Sequence, residues 1–150
     1  MPILNASLGA GAQAMTNLLT RGPIIPIEVW VPSALESYLR SHNMGVPPPV
    51  SGLALIDTGA TVSAVDDSAI RSLGVSPVDV ASVGTAGGPQ RQYVYPARFL
   101  VANRTWVLEF TRVTGANLSD TGFIALIGRD FLSRALLVYN GLQGSFTVAL

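Results

Sequence analysis

No cysteine occurs among the 150 residues. Disulfides, a thiolate nucleophile and cysteine-ligated metal sites are therefore excluded. Lysine is absent too: all nine basic side chains are arginine, balanced by nine acids. The arginines are scattered, so no basic stripe provides the electrostatic footprint of a nucleic-acid surface. The single histidine, His42, lies in a proline-rich stretch and reads as an exposed loop residue. A Ser-His-Asp triad or a multi-histidine metal site has no material to work with. No apolar run approaches the roughly 20 residues of a membrane span. Residues 1–20 carry no charge, whereas a signal peptide would want a basic start and a denser apolar stretch. The expectation is a soluble, cytoplasmic protein with no membrane or nucleic-acid partner, no metal and no cofactor.

What is present points to a folded single domain. Hydrophobic residues make up 49% and charged residues only 12%, against about a quarter charged in ordinary domains. Disorder is disfavoured by that balance. Either some apolar surface is buried between subunits, or the surface is polar but uncharged.

Residues 1–22 are small, polar and Gly/Ala-rich up to Gly22-Pro23, and read as an arm or a processed leader ahead of a domain at 23–150. Gly9 to Ala14 matches a loose dinucleotide fingerprint, but no βαβ context surrounds it. Ile24 to Val31 is strand-like, and Pro26 makes it an edge strand or a strand start. Ser33, with Glu36 three residues on, predicts a capping box on a short helix from Ala34 to His42. Pro47 to Pro49 forces an extended linker, so Pro32 to Ser51 reads as an exposed excursion. Leu53 to Ile56 is a continuous apolar run of the kind buried on both faces. Further strands are expected at Thr61 to Val65, Val78 to Val83, Gln92 to Ala102, Thr105 to Val113 and Phe123 to Ile127, with short helices at Asp66 to Leu73 and Asp130 to Leu136. Val78 to Val83 and Gln92 to Ala102 flank the glycine-rich Gly84 to Pro89, a mobile hairpin. The chain closes on a hairpin across Asn140-Gly141. Turns at short intervals suggest a sandwich or a closed barrel.

Asp57 follows the buried run. A carboxylate there is costly unless hydrogen bonds hold it. Thr58 supplies a hydroxyl, and Gly59 lets the backbone turn sharply with its N–H facing inward. A plain surface turn would have polar flanks, and Asp57-Thr58-Gly59 has apolar residues before it and Ala60 after it.

Leu55-Ile56-Asp57-Thr58-Gly59-Ala60 resembles the active-site signature of the retroviral-type aspartic peptidases, the retropepsins. Ser82 to Gly88 resembles their glycine-rich flap, Ala125-Leu126-Ile127-Gly128-Arg129-Asp130 their apolar segment before the C-terminal helix, and Ile24 to Val31 the strand before the active-site hairpin. The resemblance implies an all-β, closed-barrel-like acid-protease fold with a flap hairpin and one or two short helices. It implies an aspartic endopeptidase acting as a homodimer on a peptide or protein substrate. In that reading Asp57, Thr58 and Gly59 are the catalytic motif. Ala60, Val62, Val83, Gly84, Thr85, Ala86, Gly87 and Phe123 border the substrate, and Gly128, Arg129 and Asp130 support the site. One departure is Thr61, where retroviral enzymes often carry an acid that pairs with the late arginine. Arg129 is thus expected to find another partner, across the dimer for example.

A second Asp120-Thr121-Gly122 follows polar residues, not a buried strand, and leaves too little chain before Gly128 for a second strand pair and flap. Its expected role is a surface turn. The alternative to an enzyme is a catalytically silent dimer that keeps the fold as a binding or scaffold module. A self-contained monomer using Asp120 and an unrelated ligand-binding β-barrel are the further rivals.

Overall fold

The computed structural model describes residues 2–150. Its centre is a closed ring of strands. β2 (Ile24–Trp30) pairs antiparallel with β3 (Val50–Ile56), which runs parallel to β8 (Ala125–Ile127). β8 pairs antiparallel with β4 (Ala64–Asp66), and β4 runs parallel to β7 (Trp106–Ala116). β7 pairs with the long β6 (Gly88–Val101), which returns to β2 and closes the ring. Closure leaves these six strands without a free edge. β5 (Asp79–Thr85) stands outside the ring and pairs with the first half of β6 as a hairpin, with Ala86-Gly87 at its tip. Gly88 there has φ +100°, which favours glycine.

The ring is filled by alternating apolar side chains, Ile25, Ile27, Val29, Ile56, Phe99 and Ile127 among them. Pro26 does not mark an edge strand. β2 is paired on both sides, but its pairing with β6 spans only 27–30, so the proline stands where one side has no ladder to feed.

Residues 3–21, expected as an arm, are built into the body. β1 (Ile3–Ser7) pairs antiparallel with β10 (Ser145–Ala149), which pairs with β9 (Leu136–Asn140) in a separate three-stranded sheet. Helix α1 (Gly11–Arg21) buries Ala14 and Leu18, and Leu18 joins the main core. A Cβ on Gly144 would collide with the α1 backbone at Ala14 and Met15, and the Tyr139 hydroxyl donates to the Leu18 carbonyl at 3.0 Å.

The excursion carries α2 (Ser33–Ser41). The expected capping box does not form. Ser33 gives both its N–H and its hydroxyl to Glu109, at 2.8 and 2.7 Å, and Glu36 is taken by Arg98 and Arg40. Tertiary partners with charge outcompete the local cap. Arg98 also lies over the Trp30 ring at 4.5 Å, and Trp30 donates to the Pro47 carbonyl, so the excursion is pinned to the ring. α3 (Asp67–Ser72) is capped by Asp66, which accepts from the Ala69 N–H. α4 (Arg129–Leu132) is shorter than the expected helix, because its last turns tighten onto carbonyls three residues back before β9 starts. Among the described residues there are thus four helices, where one or two were expected. Among the described residues none is long and apolar enough to cross a membrane.

Candidate active site

β3 delivers Asp57 to the rim of the ring. The Asp57 N–H donates to the Ile127 carbonyl at 2.9 Å, which ties the start of the loop to β8. The loop then turns, and the Ala60 N–H donates to the Asp57 carbonyl at 3.2 Å. Inside this turn the Gly59 N–H donates to Asp57 Oδ1 at 2.8 Å. A Cβ at Gly59 would lie 3.1 Å from the same oxygen, so a side chain there would crowd the carboxylate. Asp57 is half-buried, whereas Thr58 and Gly59 are exposed. Within the chain, among the described residues, the Thr58 hydroxyl has no hydrogen-bond partner.

The segment 128–130 clamps this loop from behind. The Arg129 and Asp130 N–H groups donate to the Ala60 and Thr61 carbonyls at 2.9 and 3.1 Å. This crossing explains why the strand expected at 61–65 begins only at Ala64: the carbonyls at 60 and 61 are already occupied. Arg129 donates from Nη1 to the Thr58 carbonyl and from Nη2 to the Thr61 hydroxyl, both at 2.9 Å. The expected substitute partner for Arg129 is therefore Thr61 itself, in the same chain. Gly128 passes so close to residues 60–62 that a Cβ would meet the Val62 carbonyl carbon at 2.7 Å.

Ser63 is the residue that the sequence reading missed. It is fully buried. Its hydroxyl donates to Asp130 Oδ1 at 2.7 Å and accepts from the Gly128 N–H at 3.0 Å, while its own N–H donates to Asp130 Oδ2 at 2.9 Å. One side chain thus joins the Asp57 loop to both flanks of Arg129. The only signal in the sequence was a serine entering a buried strand, which is common.

Asp57 opens onto a cleft of about 790 Å³ between the loop and the β5–β6 hairpin. Ala60, Val62, Val83, Gly84, Thr85 and Ala86 line it together with Asp57, whereas Gly87 and Phe123 are not among its lining residues. Arg112 lines it too, and its guanidinium bonds Asp79 at the root of the hairpin at 2.6 Å. Arg112 owes its place to an irregularity in the β6–β7 ladder between Tyr95 and Ala97, where Pro96 offers no N–H. Asp120 is exposed and away from this cleft. Its Thr121 folds back on the Leu118 carbonyl, and Gly122 takes φ +80°, the geometry of a surface turn. Among the described residues no three histidine or carboxylate side chains cluster as a metal-ligand set.

The ring, the glycine-tipped hairpin and the Asp57 loop between them are consistent with an all-β retropepsin-like fold. No family model matches the sequence, and no curated protein does. Among solved structures the chain is similar to the equine infectious anaemia virus (EIAV) protease complexed with the inhibitor HBY-793, at 19% identity and a TM-score of 0.49 over 78% of this chain and 89% of that one. It is similar to a retropepsin-like aspartic protease from Rickettsia conorii, at 14% identity and 0.48 over 98% of each chain. It is also similar to the simian foamy virus (mac) protease, at 16% identity and 0.45 over 75% of this chain and 97% of that one.

Proposed function

We propose that this chain is an aspartic endopeptidase, hydrolysing peptide bonds with a water held between the Asp57 carboxylates of two copies. One observation carries the reading: a carboxylate at the end of a barrel strand, fixed by the Gly59 amide, faces a glycine-tipped hairpin across an open cleft.

The chemistry requires two acids. One carboxylate takes a proton from water as its oxygen attacks the peptide carbonyl carbon. A protonated partner gives its proton toward the amide as the C–N bond breaks. A single Asp57 cannot do both at once, whereas a two-fold axis supplies the second acid from the same sequence. Two full charges about 4 Å apart repel by about 4 kcal/mol at an effective dielectric of about 20, or about three pK units. The pair then holds one proton over a broad pH range, a known property of such dyads rather than a new result.

The other parts take roles around that pair. Thr58, with its free hydroxyl, braces the two loops against each other. The hairpin tip, Val83 to Gly87, closes over substrate as a flap and excludes water. An extended peptide lies beneath it as an added strand. Apolar walls at Ala60, Val62 and Val83 favour hydrophobic side chains beside the cut, and Phe123 borders the pocket in the closed dimer. Gly128, Arg129 and Asp130 hold the loop from behind. The test is peptide hydrolysis by the wild type and by Asp57→Asn. Loss of turnover in a variant that still folds supports the enzyme, no turnover in either favours a silent module, and equal turnover in both removes Asp57 from the chemistry.

A further inference from the structure

Asp57 shares its cleft with one cation. Among the described residues, Asp57 and Arg112 are the only charged side chains that line it, and the rest of the lining is apolar or neutral. Arg112 reaches the cleft because β7 changes phase. Trp106 and Leu108 are buried in the core and Phe110 packs against it, so unbroken alternation would turn residue 112 inward next. Instead Tyr95 pairs with Val113 and Ala97 with Phe110, which sets Thr111 and Arg112 together against the single Pro96. After this bulge it is Val113 that enters the core, and Arg112 faces the cleft. The guanidinium is held there but not used up. Its Nη2 donates to Asp79 Oδ2 at 2.6 Å, and among the described residues that is its one side-chain hydrogen bond. A guanidinium carries several N–H donors, so most stay open. The Arg112 and Asp79 side chains are 56% and 49% exposed, so the pair is solvated and contributes little to the fold.

We infer that Arg112 is a specificity-determining residue: it selects peptides that carry a glutamate or aspartate set back from the cut. This rests on the reading of the cleft as the bed of an extended peptide, and it names the substrate class. A substrate carboxylate matches the open edge of the planar guanidinium. The acid stands off from the scissile bond for two reasons. Asp57 and its mate share a negative charge, which repels a carboxylate placed beside them. The walls assigned to the cut are apolar, at Ala60, Val62 and Val83, whereas Arg112 meets the hairpin at its root, where Asp79 opens β5. The two-fold axis of the proposed dimer repeats Arg112 on the other side of the cut. The preference therefore falls at two mirrored positions of the peptide. The rival reading is a plain surface ion pair that foots the hairpin on β7. It makes turnover depend on Arg112 and Asp79 alike, whatever the substrate.

The test uses pairs of peptides with an apolar centre that differ only by glutamate or glutamine, scanned along the positions on each side of that centre. Binding is read by fluorescence anisotropy on Asp57→Asn, which leaves the peptide whole, and hydrolysis as kcat/KM on the wild type. At the selected positions glutamate is expected to win by about fivefold in both, the most that an exposed ion pair usually gives. The ratio should shrink as salt rises. Arg112→Gln should bring it to unity, and Arg112→Lys, which keeps the charge, should retain part of it. Asp79→Asn removes the competing carboxylate and should keep or raise it. A ratio near unity at every position overturns the inference, as does one that survives Arg112→Gln. A ratio that collapses in Asp79→Asn as it does in Arg112→Gln also overturns it, because the footing of the hairpin then sets the preference. If Asp57-dependent hydrolysis appears without an Arg112-dependent ratio, the enzyme reading stands and this inference falls. If glutamate peptides bind through Arg112 but are never cut, the acid-selecting cleft stands and the enzyme reading falls.

Discussion

Arg129 holds the carbonyl of Thr58 through Nη1 at 2.9 Å while its other terminal nitrogen holds the Thr61 hydroxyl, so the loop that presents Asp57 is clamped by one guanidinium that, among the described residues, has no carboxylate opposite it. Arg129→Gln removes the fork. The side chain is exposed, so the loss of fold stability is about 1–2 kcal/mol, at the low end for charge-assisted hydrogen bonds. The loop loses its position, so kcat should fall more than KM rises. Thr61→Asp should do the reverse to stability and add up to about 1 kcal/mol by pairing with Arg129. Urea unfolding with steady-state kinetics on both variants checks this.

Ser63 connects the same loop to Asp130 and Gly128. Ser63→Ala leaves the buried Gly128 N–H without a partner and takes one of two donors from Asp130 Oδ1, which keeps the Phe131 N–H, and should cost about 1–3 kcal/mol. An unfolding midpoint close to the wild type would show that water takes over the hydroxyl's role.

Acid should loosen the fold at identifiable carboxylates. Burial pushes the Asp66 carboxyl upward, but hydrogen bonds from the Ser68 hydroxyl and the Leu118 and Ala69 N–H groups outweigh it and hold its pKa below the usual value. Glu36 is held down first by its hydrogen bond from Arg98, then by that from Arg40. A folded-state pKa below the unfolded one means stability present above the unfolded value of about 4 and lost as pH falls through the lower folded value. Urea midpoints should therefore hold down to about pH 5 and drop below about pH 4. Asp66→Asn should be less stable at neutral pH and show a shallower acid limb.

The motif around Asp57 was legible because its signal is local: a buried run, a sharp turn and a small residue within six positions. The hairpin was legible for the same reason, its glycines marking the tip. Residues 3–21 were not, because β1's partner lies some 140 positions away in the register Ile3–Ala149, and α1 shows the core only Ala14 and Leu18, a thin stripe among small residues. Ser33 and Glu36 spelled a helix cap that Glu109 and Arg98, far off in sequence, took apart. Arg129 was singled out from its motif, but only the fold could show that Thr61 lies within reach.

The first 22 residues supply a full strand and the buried Leu18. Deleting residues 1–22 should thus expose the β10 edge and open the core at Leu18, costing several kcal/mol, since burying a leucine alone contributes about 1.5–3 kcal/mol. Circular dichroism and thermal unfolding of the truncated chain check this. A cooperative transition at the full-length temperature would restore the reading of that segment as a removable leader.

The central claim is that two copies of Asp57 act on one water. The direct measurement mixes wild type with Asp57→Asn at constant total concentration, lets subunits exchange, and follows peptide hydrolysis. If only a dimer with two intact carboxylates works, activity follows the square of the wild-type fraction, about one quarter in an equal mixture. A linear decline, with half the activity left in that mixture, would contradict the account, because each chain would then be working alone.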